Sequence, residues 1–134
     1  MTKRRVVITG MGAITPVGHN VAQTWQSLIN GVSGVGMITR FDASTLPTQI
    51  AAEVKNYNPD EHFDHKEVKK LDLYTQFAMI AAREAVSDAG ITPGSFDPDR
   101  VGVITGAGIG GILTFEEECI KCINHGPRRI SPFF

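Results

Sequence analysis

Long apolar runs are missing from this 134-residue sequence. Its hydrophobic stretches are short and interrupted, whereas a bilayer span needs roughly 20 consecutive apolar residues, so no membrane-crossing segment is expected. Neither sign of charge dominates. Thirteen basic residues against fourteen acidic ones leave a net charge of −1, which does not suggest a nucleic-acid binder. Cysteine is scarce: Cys119 and Cys122 are the two, and without an export signal they fit reduced thiols in a cytosolic protein. The opening MTKRRVVITG is basic, but Gly10 and Gly12 follow almost at once. That apolar region is too short for a signal peptide and reads as a first strand. Repeats and low-complexity tracts are absent as well.

Patterned segments punctuated by glycine are what the chain does contain. Arg5–Thr9 (RVVIT) and Arg100–Thr105 are β-branched and compact, the signature of buried strands. Asn20 is placed to N-cap a helix whose apolar face is Val21, Trp25, Leu28 and Ile29, closed by Gly31. Residues 32–59 read as loop with short strands, QIAAEV (Gln49–Val54) being the best of them. Asn58–Lys70 is polar and reads as exposed. The longest helical pattern runs from Asp72 to Asp88, with Leu73, Phe77, Ile80, Ala81 and Ala85 on one face and Gly90 at its end. Another helix is expected from about Gly111 to Ile123. Strand, helix, helix, strand, helix implies a layered α/β protein. The sequence stops on Phe133 and Phe134 with nothing after them to cover two large apolar side chains, which reads as a cut inside a larger fold.

Gly106, Gly108 and Gly111 satisfy GxGxxG between the second strand and the last helix, the context of a dinucleotide site. The ribose-binding carboxylate expected about twenty residues further on is not there, since Glu116, Glu117 and Glu118 come too early. Two other readings of the loop stand beside a nucleotide cradle. Its glycines serve tight turns and close backbone approach, or they frame Ile109 as the one sizeable side chain lining a pocket. Cys119, Cys122 and His125 have spacing that could hold a metal, but no fourth ligand is evident, so buried or half-buried helix cysteines are favoured. Three preceding glutamates disfavour a Cys119 thiolate and rule it out as a nucleophile. Lys66, Lys69 and Lys70, at i, i+3 and i+4, can share a helical face. With Arg128 and Arg129 they form basic clusters, either a solvated face or a docking patch for an acidic partner. No grouping of nucleophile, base and oxyanion donors is complete.

RRVVITGMGAITPVG, FDAS (Phe41–Ser44), KKLDLYTQFAMIAAREAVSDAG, GVITGAGIGG and GPRRISPFF occur in this order. Together they resemble the β-ketoacyl-acyl-carrier-protein synthases, in particular the type II condensing enzymes of bacterial fatty acid synthesis, over Lys3–Phe134. The resemblance implies a thiolase-like αβαβα layered fold built from two similar halves and paired as a homodimer. Residues 1–134 would be the N-terminal, incomplete part of its synthase domain. It implies a decarboxylative Claisen condensation of malonyl and acyl groups carried on the phosphopantetheine of acyl carrier protein, through an acyl-cysteine. No cofactor, metal, nucleic acid or membrane is implied, and a cytoplasmic location is. The family's nucleophilic cysteine, two histidines and lysine match no residue here, so no catalytic residue is assigned.

By the same resemblance Ile109, Gly108 and Gly110, together with Phe134, correspond to the acyl pocket near the dimer interface. Lys66, Lys69, Lys70, Arg128 and Arg129 correspond to positions that meet the carrier protein. Lys69 stands where arginine also appears in the family, which keeps the charge but loses the fork geometry. A non-catalytic interaction module and a nucleotide-dependent oxidoreductase are the alternative functions.

Overall fold

A computed structural model describes residues 3–132, so Phe133 and the Phe134 pocket position lie outside the described residues. The chain forms two compact units. One comprises the residues up to Tyr57 with Ile80–Val101, the other Asn58–Met79 with the residues from Gly102 onward.

In the first unit, α1 (Val21–Ile29) begins where expected, because Asn20 is extended and its side chain accepts the Gln23 N–H at 2.8 Å. It ends at Asn30 and Gly31. Gly31 takes a φ of 66°, which lets its N–H reach the Leu28 carbonyl while Val32 N–H reaches Ser27. The expected apolar face forms but is not covered, as Trp25, Leu28 and Ile29 remain exposed.

Strand β1 (Gly36–Met37) pairs antiparallel with β2 (Ile50–Ala51), Gly36 opposite Ala51 and Met37 opposite Ile50. The strand expected over Gln49–Val54 is therefore cut to two residues. Glu53 does not continue the ladder; its carboxylate instead accepts the Thr39 hydroxyl at 2.7 Å and the amides of Thr39 and Arg40. Chiefly the Thr39 hydroxyl holds the Glu53 carboxyl below its ordinary pKa.

Helix α3 (Leu73–Asp88) contributes its C-terminal part to this unit. Ile80 is buried on it, Ala81 and Ala85 are half-buried, and Gly90 at φ 65° closes it as Ile91 N–H returns to Val86. The loop after the first segment lies directly on this helix. A Cβ at Gly12 would fall 1.8 Å from the Ala81 carbonyl oxygen, and one at Gly10 would fall 2.3 Å from that of Ala85. Two acids one turn apart on α3 then hold the loop. Glu84 accepts Ala13 N–H and Val21 N–H, both at 2.9 Å, and Asp88 accepts Met11 N–H at 2.9 Å.

Both expected buried strands are corrected. Arg5–Thr9 and Arg100–Thr105 join no ladder among the described residues, with Val6 95% and Ile104 98% exposed. A β-branched run becomes a buried strand only when a neighbour supplies ladder partners and a layer covers its face, and no described segment does either here.

The second unit begins with a 3₁₀ turn, Pro59–Glu61, and the short α2 (His65–Val68). Asp64 and Glu67 form a reciprocal capping box on α2. Phe63, between the 3₁₀ turn and α2, is 5% exposed, which corrects the reading of Asn58–Lys70 as solvent-facing. Helix α4 (Ile112–His125) follows the glycine loop, ends at Gly126 with φ 83°, and leads into a 3₁₀ turn, Pro127–Arg129. Among the described apolar side chains only Ala43, Phe63 and Ile80 are buried.

Glycine therefore has different duties in the two glycine-rich loops, and substitution separates them. Gly12→Ala is expected to destabilise this chain by about 1–3 kcal/mol, the usual cost of forcing atoms into occupied space. Gly106→Ala, where nothing lies within 4 Å of the added carbon, should stay within about 0.5 kcal/mol of the parent. Urea unfolding of the two variants measures the difference.

Candidate functional site

The loop 106–111 opens onto a groove of about 630 Å³ lined by Lys70, Asp72, Tyr74, Ile109, Thr114 and Phe115 among others. Ile109 is 78% exposed. Behind it Gly110 has φ 73°, and a Cβ there would meet the Tyr74 ring at 3.6 Å. Gly111 is the N-cap of α4 and offers no side chain to it.

Asp72, just before α3, supplies what Gly111 lacks. Its Oδ2 accepts the Thr114 hydroxyl at 2.6 Å and the Thr114 N–H at 3.1 Å, while Oδ1 accepts the Tyr74 N–H at 3.3 Å. One carboxylate thus serves the N-termini of α3 and α4 together, satisfying donors that have no partner within either helix. Burial pushes the Asp72 carboxyl upward, but the Thr114 hydroxyl and the amides of Thr114, Tyr74 and Leu73 outweigh it and hold its pKa low.

This arrangement argues against the nucleotide reading of GxGxxG. A pyrophosphate needs the free N–H groups of a helix N-terminus, and at α4 it would meet the negative charge of Asp72. The strand expected before the loop is also missing. Close backbone approach fares no better for Gly106 and Gly108, whose added Cβ atoms would meet nothing within 4 Å.

The five expected docking cations are all exposed. Helix α2 ends at Val68, so Lys66 lies within it, Lys69 caps it and Lys70 follows, though the N–H groups of Lys70 and Leu71 still bond to the Glu67 carbonyl. Lys69 and Lys70 line a second groove with Lys121 and Ser131. Arg128 and Arg129 sit on the turn at the end of α4. Cys119 and Cys122 are free and half-buried, and His125 is exposed. Among the described residues no three His, Cys, Asp or Glu side chains are grouped to hold a metal ion, and no helix is long and apolar enough to cross a membrane.

Two carboxylates of this unit escaped the sequence reading. Asp72 looked like an ordinary helix start, although an acid before a helix is a recognised capping signal. Glu118, one of three consecutive glutamates, is 4% exposed. It accepts Lys121 Nζ at 2.6 Å and the Ser131 N–H at 2.6 Å, fastening the basic turn to α4. Nothing in a run of three acids marks the one that turns inward.

Comparison with known proteins gives the family. The family described as "Beta-ketoacyl synthase, N-terminal domain" matches residues 3–134, and the chain belongs to that family. It is 50% identical over its whole length to a 3-oxoacyl-[acyl-carrier-protein] synthase 2 of Coxiella burnetii, covering 32% of that protein. It is 47% identical over 131 residues, 98% of its length, to the protein of the same name from Staphylococcus aureus, again covering 32%. The chain thus spans about a third of the length of the curated relatives it matches.

Among solved structures it is similar to the ishigamide ketosynthase/chain length factor, with a TM-score of 0.77 and 30% identity over 98% of this chain and 33% of the other. A type II PKS acyl-carrier protein in complex with its ketosynthase gives the same TM-score at 21% identity, over 98% and 35%. The fold class is accordingly the thiolase-like α/β class of the ketosynthases.

The Glu118 anchor generates a pH test. Lys121 first, then the Ser131 amide, hold the Glu118 carboxyl below its ordinary value of 4.5. A depressed folded-state pKa stabilises the fold fully above the unfolded value and is lost as pH falls through the folded one. The Ser131 amide resonance should therefore stay constant from neutrality down to about 4.5 and move only below it. Glu118→Gln should abolish that movement and lower stability near neutral pH.

Proposed function

We propose that this chain supplies the acyl-pocket wall and the carrier-docking surface of a 3-oxoacyl-[acyl-carrier-protein] synthase of fatty acid synthesis. The observation that carries this reading is 47–50% identity, across 98–100% of the chain, to proteins of that name. In the reaction a cysteine thiolate attacks the carbonyl of a carrier-bound acyl thioester, the carbon–sulfur bond to the carrier breaks, and the carrier leaves as a thiol. Malonyl carrier protein then loses carbon dioxide, and the resulting carbanion attacks the acyl-cysteine and expels the thiolate as the 3-oxoacyl product forms. Splitting the condensation in this way replaces one difficult step by two easier ones. The cysteine, histidines and lysine of this chemistry belong to the family-length enzyme, and no residue of the present chain is assigned to them.

The role of this chain is recognition. Ile109, framed by Gly108 and Gly110, meets the far end of the acyl chain, with Phe134 as a further wall residue. Lys66, Lys69, Lys70, Arg128 and Arg129 steer the acidic carrier protein and its phosphopantetheine arm. The enzyme works as a cytoplasmic homodimer, and the apolar side chains exposed here, Val6, Ile8, Val103 and Ile104 among them, are covered by the rest of the family-length protein. Exposed apolar surface on this scale supports such a cover. The competing reading, a non-catalytic module of 134 residues, is separated from this one by the intact mass of the protein from its native source. A mass well above 14.5 kDa supports the enzyme, and a match to 14.5 kDa removes catalysis by the family mechanism from the chain.

Two substitutions test the recognition roles in the family-length protein. Ile109→Phe should restrict products to shorter acyl groups, and an unchanged product distribution would remove Ile109 from the pocket wall. Neutralising the five cations should raise KM for carrier-bound substrate on the order of tenfold at low salt and flatten its salt dependence. A small pantetheine thioester should be unaffected; an equal loss with it would refute docking at these residues.

A further inference from the structure

We infer that Asp72 is a positioning residue for chain-length selection, because it fastens the turn that carries Ile109. The inference rests on the pocket reading above, and it concerns a residue outside the glycine loop altogether. Ile109 has little packing of its own to hold it, being 78% exposed. The backbone behind it is tightly wound. Ile112 N–H bonds to the Gly110 carbonyl at 2.9 Å and Phe115 N–H to that of Gly111 at 2.9 Å. Where Ile109 points is therefore decided by where this turn is tethered.

The tether is Thr114, joined through hydroxyl and amide to Asp72, 42 residues earlier in sequence. Contact distances agree with a close fit on that side, since a Cβ at Gly111 would lie 3.4 Å from Asp72 Oδ2. Asp72 is in turn fixed by the Tyr74 amide, and the Tyr74 ring stands against Gly110. Both carboxylate oxygens are engaged as acceptors, which leaves Asp72 to hold geometry rather than move protons. Charge-assisted bonds of this kind are about twice as strong as neutral ones, and a wall displaced by even an ångström changes which chain fits.

The test measures, in the family-length enzyme, kcat/KM for an acyl substrate at the length limit and for one two carbons longer. Variants Asp72→Asn, Thr114→Val and Thr114→Ser are run beside the parent and Ile109→Phe. Asp72→Asn and Thr114→Val should reduce the discrimination between the two substrates by about tenfold, in line with the low end for one lost hydrogen bond to a charged group. Thr114→Ser, which keeps the hydroxyl, should restore the parent ratio. Non-additivity of Thr114→Val with Ile109→Phe should place both on one device. If Thr114→Val lowers the melting temperature but leaves the ratio unchanged, Asp72 is only a structural cap and the inference is wrong. Should Asp72→Asn fail to fold, the Thr114 pair decides alone. A parent without condensing activity, or an Ile109→Phe variant without a length shift, overturns the underlying reading and this inference with it, and those arms identify which has failed.

Discussion

Backbone N–H groups must find acceptors, and in this chain carboxylates supply them across long sequence distances. With no more ladder than the two-residue pairing of β1 and β2, the usual satisfaction of loop backbone by sheet is largely missing from the described residues. Asp88 takes Met11, Glu84 takes Ala13 and Val21, Asp72 takes Thr114, and Glu118 takes Ser131. A buried or half-buried donor left unpaired costs about 1–3 kcal/mol, a large share of the stability of so lightly packed a chain. Ala43, Phe63 and Ile80 alone could not fix these loops. The acids decide where the loops rest, and the apolar contacts follow.

Glycine completes the same device in one loop and not in the other. Gly10 and Gly12 let backbone come within reach of Glu84 and Asp88, since any side chain there would strike the carbonyls of α3. In the loop 106–111 only Gly110 has the left-handed φ that favours glycine, and the first two glycines face open space. A spacing such as GxGxxG is thus a statement about small residues, and its meaning depends on what stands opposite. Here a carboxylate stands opposite the helix N-terminus, which is the feature a phosphate site cannot have.

What was legible in the sequence was local. Asn20, Gly31 and Gly90 announced helix ends by chemistry confined to a few neighbouring residues, and α1, α3 and α4 lie close to where periodicity put them. The β-branched runs Arg5–Thr9 and Arg100–Thr105 read as buried strands because composition records the environment a segment is suited to, not the partner that provides it. Trp25 and Ile104 follow the same rule, being apolar by pattern yet exposed. Of the candidate site, Ile109 and the cations could be named from family motifs. Asp72 and Glu118 could not, because their importance lies in partners 42 and 13 residues away.

A net charge of −1 does not say how the two signs are presented, and the hydrogen bonds bear on that. In the second unit four of the acids turn toward backbone, while Asp60, Glu61, Glu116 and Glu117 stay exposed. Asp64 and Glu67 close the cap of α2, Asp72 holds two helix starts, and Glu118 binds Ser131 and Lys121. Nearby amides and one lysine partly offset the charge of these four, while Lys66, Lys69, Arg128 and Arg129 remain exposed. Sequence arithmetic counts both signs equally, but a carboxylate ringed by N–H donors projects less field than a solvated ammonium or guanidinium. The same bonds that order the backbone therefore also temper four carboxylates of this unit, so its folding and its surface charge draw on one set of side chains.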